Sequence, residues 1–141
     1  MHIIAVDDEQ PALGLLVRSI QEACPTAHIN KFQSGHEVLH FLENNPCDVA
    51  FLDIHMRGID GLTLAKKIKD LNPQCNLIFV TGYSEYATDA LSMHASGYIM
   101  KPVGPEAILA ELEDLRHPAD LLSDALLRIQ CFGNFEVFSM S

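Results

Sequence analysis

Acidic, hydroxyl and basic side chains follow four short apolar segments of this sequence. These side chains, each within two residues of the end of its segment, are Asp7, Asp8, Asp53, Thr81 and Lys101. Three carboxylates gathered in one pocket would repel one another, by about 4 kcal/mol for two charges ~4 Å apart at an effective dielectric of 20. A hard divalent cation, Mg²⁺ or Mn²⁺, prefers oxygen ligands and would remove that repulsion. The ammonium group of Lys101 would relieve more of it.

This combination of side chains suits phosphoryl transfer. A carboxylate beside a metal ion can attack phosphorus and form an aspartyl phosphate. The reaction depends mainly on positioning and charge neutralisation, which Mg²⁺, Lys101 and a hydrogen bond from Thr81 would provide. A single aspartate at the end of a strand can also simply begin a turn. The full set, in this order, favours one shared site.

Short apolar segments alternate with amphipathic stretches, which predicts the elements that position these side chains. Strands are predicted at 2–6, 28–32, 49–52, 76–80 and 97–100, and helices at about 11–23, 34–44, 62–71, 85–93 and 107–115. Continuously apolar strands are typical of a parallel sheet covered on both faces. We therefore predict an α/β fold with a doubly wound, flavodoxin-like sheet of five parallel strands in the order 2-1-3-4-5. Ligands of such sheets bind beyond the carboxyl ends of the strands, so the polar side chains should meet at one rim.

Composition limits the classes of function. The 141 residues suit one domain, and the net charge of −10 argues against a surface of this chain that grips nucleic acid. No apolar run approaches the ~18 residues of a membrane span, and the acidic N-terminal segment does not resemble a secretory signal. The four cysteines form no CxxC motif, which favours reduced thiols and a cytoplasmic location.

The polar set resembles the receiver domain of bacterial two-component response regulators over about residues 1–117. The matching residues are the acidic pair Asp7–Asp8, then Asp53, Thr81 and Lys101–Pro102. The resemblance implies that Asp53 is the phosphoacceptor and that a sensor histidine kinase is the partner. It also implies a regulatory domain that catalyses only its own phosphorylation and dephosphorylation.

The same resemblance implies a role for each residue around Asp53. Asp8, Asp53 and the backbone carbonyl of His55 would bind Mg²⁺ directly, and Asp7 would act mainly through water. Lys101 would contact the phosphoryl group, and the Lys101–Pro102 peptide is expected to be cis. The side chain of His55 would stand where attacking water must pass, and so affect the lifetime of the phosphate.

Thr81 and Tyr98 are implied as the switch residues. Phosphorylation adds about −1.5 to −2 charges, Thr81 moves towards the new oxygens, and the ring of Tyr98 turns into the space it leaves. The alternative for Tyr98 is a half-buried strand aromatic without a switching role. Homodimer formation on phosphorylation is an expectation from the family.

Residues 118–141 differ in character from the rest of the chain. The segment RIQCFGNFEVF (128–138) has the pattern of two strands joined by a turn. It resembles the first strands of a winged-helix output domain, which predicts a linker and the start of a truncated transcriptional activator domain. DNA would then be bound only through an output domain beyond this chain. A sixth strand of the same sheet is the alternative.

Two other functions compete with this interpretation. A small Mg²⁺-dependent phosphohydrolase of the haloacid dehalogenase type combines the same residue types, but its nucleophile follows the first strand and not the third. A pure interaction module would keep the site and signal without DNA. His36 and His40 have a spacing that can bind zinc, although the sequence offers no third ligand nearby, so a solvent-facing pair is favoured.

Overall fold

The computed structural model describes residues 1–115 as a doubly wound α/β fold. The five parallel strands lie in the order β2-β1-β3-β4-β5, which confirms the predicted topology. They are β1 (His2–Val6), β2 (His28–Phe32), β3 (Val49–Leu52), β4 (Asn76–Thr81) and β5 (Gly97–Met100). The helices are α1 (Gln10–Ala23), α2 (Gly35–Leu42), α3 (Gly61–Leu71), α4 (Ala87–Ser92) and α5 (Pro105–Leu112). The predicted output-domain segment lies outside the described residues.

Two apolar layers cover the two faces of the sheet. Every residue of β3 and β4 is buried, as expected for central strands of a parallel sheet. Phe51 of β3 packs in the layer formed with α1 and α5, and its neighbour Leu52 packs in the layer formed with α2, α3 and α4. Alternate side chains along each strand therefore fix the sheet between the helices, which leaves the strand ends free to carry polar groups.

The predicted boundaries were wrong mainly in the last third of the fold. The segment predicted as one helix over 85–93 begins with a 3₁₀ turn at Ser84–Tyr86, and α4 follows as a short helix. Helix α5 begins at Pro105, two residues before the predicted start, because proline suits the first turn of a helix. Strand β4 extends one residue further than predicted and includes Thr81.

The start of α3 is fixed against the end of β3. The Asp60 carboxylate accepts a hydrogen bond from the Thr63 N–H at 2.8 Å and caps the helix. Gly61 lies so close to β3 that a Cβ there would overlap the carbonyl oxygen of Asp53. This contact holds the loop after Asp53 in one path across the rim.

The cysteines and the possible membrane spans were both considered from composition. Cys24, Cys47 and Cys75 are buried, and none of the three forms a disulfide within the described residues. None of the helices within residues 1–115 combines the length and the apolar character needed to cross a bilayer.

Candidate functional site

The parallel register brings the predicted polar side chains to one rim of the sheet. Val6 pairs with Leu52 and Thr81 pairs with Met100, so the residues that follow these strands emerge side by side. The backbone continues this pairing past the strands, because the N–H of Asp53 donates to Val6 at 3.1 Å. The Lys101–Pro102 peptide is cis, as the resemblance implied.

Lys101 joins two of the three carboxylates. Its Nζ lies 2.9 Å from Oδ2 of Asp7 and 3.3 Å from Oδ2 of Asp53. The two aspartates are 1% and 5% exposed, so this ammonium group is shared between two buried carboxylates. Charge-assisted hydrogen bonds of this kind are stronger than neutral ones.

Burial and charge shift the titration of this cluster. Burial raises the pKa of Asp53 above its ordinary value, and the nearby charge of Asp7 adds to the effect, while Lys101 opposes it. Burial alone would lower the pKa of Lys101, but its hydrogen bond to Asp7 and the charges of Asp53 and Asp7 together raise it. Lys101 therefore stays protonated at neutral pH. The raised pKa of Asp53 means that one ammonium does not fully compensate the two carboxylates.

Asp8 has a different partner, which the sequence did not reveal. Its Oδ2 accepts a hydrogen bond from the backbone N–H of Arg57 at 3.0 Å, and Nε of Arg57 lies 3.5 Å from the same oxygen. Arg57 belongs to the loop between β3 and α3. The one available signal was that it is the only lysine or arginine between Asp53 and Asp60.

The donor set fits a hard divalent cation. Ligand atoms of Asp7, Asp8 and Glu9 lie within 4.8 Å of one another, and Asp53 adjoins them because it shares Lys101 with Asp7. Carboxylate oxygens are what Mg²⁺ takes from proteins, together with several waters. Glu9, which is exposed, was not among the predicted ligands.

Thr81 and Tyr98 are linked through one residue, Tyr83. The buried hydroxyl of Thr81 accepts a hydrogen bond from the Tyr83 N–H at 3.3 Å, and the Tyr98 hydroxyl donates to the Tyr83 carbonyl. The Tyr98 ring is partly buried and lies 6.4 Å from the ring of Phe79. Both predicted switch residues thus hold the same peptide segment, a connection that sequence spacing did not indicate.

His55 lies in a small aromatic group at the rim. Its ring centroid is 4.2 Å from that of Tyr83 and 5.2 Å from that of Tyr86. The His55 side chain is exposed, and Tyr83 is 47% exposed. The aromatic group therefore lies at the surface, two residues beyond Asp53 in the chain.

The zinc interpretation of His36 and His40 gains no support. Within residues 1–115, the side chains grouped closely enough to bind a metal ion in threes are Asp7, Asp8 and Glu9. His40 instead lies 3.2 Å from the Glu43 carboxylate, one turn further along the chain.

Comparison with known proteins points to one family. The family model of the response regulator receiver domain matches residues 3–113. The chain is 34% identical over 115 residues to the transcriptional regulatory protein YpdB of Escherichia coli, covering 82% of this chain and 47% of that protein. It is 31% identical over 123 residues to the sensory transduction protein LytT of Oceanobacillus iheyensis, covering 82% of this chain and 48% of that protein. The chain spans about half the length of these curated relatives.

Solved structures give the same result. The response regulatory domain of protein MrkE from Klebsiella pneumoniae superposes with a TM-score of 0.74 at 34% identity, covering 82% of this chain and 94% of that one. The response regulator TrrA of Thermotoga maritima, crystallised in complex with Mg²⁺ and BeF, gives a TM-score of 0.71 at 30% identity, covering 79% of this chain and 96% of that one.

The fold and the rim cluster define a doubly wound α/β domain with an acidic, lysine-bearing site. The chain belongs to the response regulator receiver domain family of two-component systems. The alternative of a haloacid dehalogenase-type phosphohydrolase is not supported, since the matching family is the receiver domain and Asp53 follows the third strand.

Proposed function

We propose that Asp53 accepts a phosphoryl group from a sensor histidine kinase and that this reaction controls a transcriptional output. The observation that carries the proposal is the position of Lys101, whose ammonium contacts Asp7 and Asp53 at the rim at 2.9 and 3.3 Å. The complex of the relative TrrA with Mg²⁺ and BeF supports a metal-dependent site in this family.

The reaction follows from the groups around Asp53. A carboxylate oxygen of Asp53 attacks the phosphorus of a phosphohistidine, the P–N bond breaks, and the imidazole leaves with the bonding electrons and takes up a proton. Lys101 neutralises charge on the phosphoryl oxygens, and Thr81 donates a hydrogen bond to one of them. Asp8, Asp53 and the His55 carbonyl, with Asp7 through water, would hold Mg²⁺, which supplies further positive charge to those oxygens.

The switch would use the shared contact with Tyr83. A hydroxyl can accept one hydrogen bond and donate another, so Thr81 can donate to a phosphoryl oxygen while it still accepts from the Tyr83 N–H. A movement of Thr81 towards the phosphoryl group would therefore pull on the Tyr83 segment. The carbonyl of Tyr83 is held by Tyr98, so movement of this segment is coupled to the position of the Tyr98 ring. Phosphorylation then biases a two-state equilibrium of the surface near β5.

Removal of the phosphoryl group needs a water molecule that reaches phosphorus in line with Asp53. His55 follows Asp53 by two residues, and its ring lies 4.2 Å from that of Tyr83. In this proposal the two rings would stand in the path of that water and slow hydrolysis. The domain thus catalyses only its own phosphorylation and dephosphorylation.

The output would lie beyond the receiver domain, which we assign to residues 1–117. Residues 118–141 would form a linker and the first strands of a DNA-binding domain. The name of the relative YpdB, a transcriptional regulatory protein, supports this output, as does the length of the relatives. A cytoplasmic location and phosphorylation-dependent homodimers belong to the same proposal.

Incubation with acetyl phosphate or phosphoramidate and Mg²⁺, followed by intact mass spectrometry, tests the phosphoacceptor. We expect one added phosphoryl group in the wild type, none in Asp53→Ala, and none after chelation of Mg²⁺. Asp70→Asn, which changes an exposed carboxylate of α3, is the matched control and should be phosphorylated like the wild type. An unmodified wild type, or an adduct that persists in Asp53→Ala, would contradict the proposal.

A further inference from the structure

Two basic side chains divide the three carboxylates of the rim between them. Lys101 contacts Asp7 and Asp53, whereas Arg57 contacts Asp8 through both its backbone N–H and its Nε. The backbone donor lies 3.0 Å from Asp8 Oδ2, and Nε lies 3.5 Å from that oxygen. Asp8, a proposed metal ligand, therefore has a guanidinium group beside one of its carboxylate oxygens.

The two basic side chains differ in how firmly they are held. The Lys101 side chain is 28% exposed and has two carboxylate partners, while the Arg57 side chain is 89% exposed and pairs with Asp8. An exposed guanidinium can move into water at little cost, because water solvates it and screens the pair. Arg57 is thus the easier of the two to displace.

We infer that the guanidinium group of Arg57 is the resident counter-charge of Asp8, which a divalent cation must displace on binding. This inference rests on the proposed role of Asp8 as a metal ligand. The backbone N–H of Arg57 has a separate role, because it can keep the Asp8 carboxylate oriented while another lone pair of the same oxygen binds the cation. Arg57 is therefore a positioning residue that also lowers the affinity of the site for metal.

The size of the effect follows from the exposure of the pair. The Arg57 side chain is 89% exposed and the Asp8 side chain 16%, so solvent screens the pair from the guanidinium side. An ion pair open to solvent in this way contributes about 0.2–1 kcal/mol, so removal of the guanidinium should tighten metal binding by roughly one and a half- to fivefold. The backbone hydrogen bond persists when the side chain is replaced, so the carboxylate should keep its orientation.

Binding of Mn²⁺, followed by the loss of the electron paramagnetic resonance signal of free Mn²⁺, measures this affinity without any phosphodonor. Arg57→Ala and Arg57→Gln should both bind Mn²⁺ about one and a half- to fivefold more tightly than the wild type. Arg18→Ala is the matched control, since it also removes an exposed arginine side chain and its positive charge, but from α1. It should bind Mn²⁺ like the wild type, and Asp8→Asn should bind it much more weakly.

The outcomes separate this inference from the proposed function. If Arg57→Ala binds Mn²⁺ with wild-type affinity or more weakly, while Asp8→Asn loses binding, the metal site stands and the role of Arg57 is refuted. Equal tightening by Arg18→Ala and Arg57→Ala would show an effect of net charge alone and would also refute it. If Asp8→Asn binds Mn²⁺ like the wild type, Asp8 is not a ligand, and both the inference and the proposed metal site fail. Thermal unfolding without metal checks that each variant folds.

Discussion

Asp53 occupies an electrostatically unfavourable position. It is 5% exposed and shares the ammonium group of Lys101 with Asp7, and burial raises its pKa. A buried carboxylate with incomplete compensation lowers the stability of the folded state wherever it is ionised. The proposed reaction uses this surplus negative charge, because it creates the demand for a cation beside the phosphoacceptor.

The raised pKa of Asp53 predicts how stability depends on pH. The folded protein holds the Asp53 proton more tightly than the unfolded chain, so the cost of ionisation is absent below the unfolded pKa of 3.8 and grows as pH rises through the folded pKa. Asp53→Asn should therefore be more stable than the wild type at pH 7 by about 1 kcal/mol, and this advantage should shrink as pH falls towards 4. Thermal unfolding in a metal chelator from pH 4 to pH 8 measures the difference.

The exposed substitution Asp70→Asn is the control for this series, because it removes a carboxylate that is open to solvent. It should change stability little at any of these pH values. A variant Asp53→Asn that is less stable than the wild type at pH 7 would be inconsistent with an uncompensated carboxylate.

At the scale of elements, the junction between β3 and α3 sets the position of Asp53. Helix α3 begins at Gly61, and Asp60 is its N-cap residue. Gly61 is packed against the carbonyl of Asp53. The end of a strand and the start of a helix thus fix one backbone position from two sides. A side chain at residue 61 would have to move the backbone that carries Asp53, the proposed phosphoacceptor.

Gly61→Ala should therefore destabilise the protein by about 1–3 kcal/mol, the usual cost of forcing a methyl group into a packed site. It should also slow phosphoryl uptake, since the Asp53 backbone is displaced. Gly14→Ala is a matched control in α1, where a Cβ meets nothing within 4 Å, and it should stabilise by roughly 0.5–1 kcal/mol. Denaturant unfolding of both variants measures these effects, and a Gly61→Ala variant as stable as the wild type would refute the close approach.

The strand order and the rim were predictable because they depend on patterns within the chain. Apolar segments that are followed directly by Asp53 or Lys101 predict the parallel sheet. They also predict its polar edge, since the carboxyl ends of parallel strands lie at one edge of the sheet. The partner of Asp8 was not predictable, because it depends on the path of the loop that carries Arg57 over a few ångströms. The contacts of Tyr83 with Thr81 and Tyr98 were hidden for the same reason, and periodicity cannot distinguish the 3₁₀ turn from the first turn of α4.

At the scale of the whole molecule, residues 1–115 contain every predicted site residue and both apolar layers. Helix α5 completes the layer on the side of α1 through the buried residues Ile108 and Leu112. The structural basis of the proposed reaction is therefore contained in the receiver domain, and the boundary at residue 117 remains a prediction.

A piece comprising residues 1–117 should fold and be phosphorylated like the chain of 141 residues. We expect one phosphoryl group per molecule in both, and melting temperatures within about 4 °C of each other, a difference that corresponds to less than ~1 kcal/mol. Intact mass and thermal unfolding of the two proteins provide the comparison. Loss of folding or of the adduct in the shorter piece would move the domain boundary beyond residue 117.

The bond between Lys101 and Asp7 joins residues 94 positions apart in the chain. Nearly the whole domain has to be synthesised before β5 can pair with β4 at the edge of the sheet. Only then can the ammonium group of Lys101 contact Asp7. A nascent or proteolysed chain that lacks β5 and Lys101 would present Asp7 and Asp53 without the ammonium group that contacts both. Under the proposed function, a kinase would then phosphorylate only receivers whose synthesis and folding were finished.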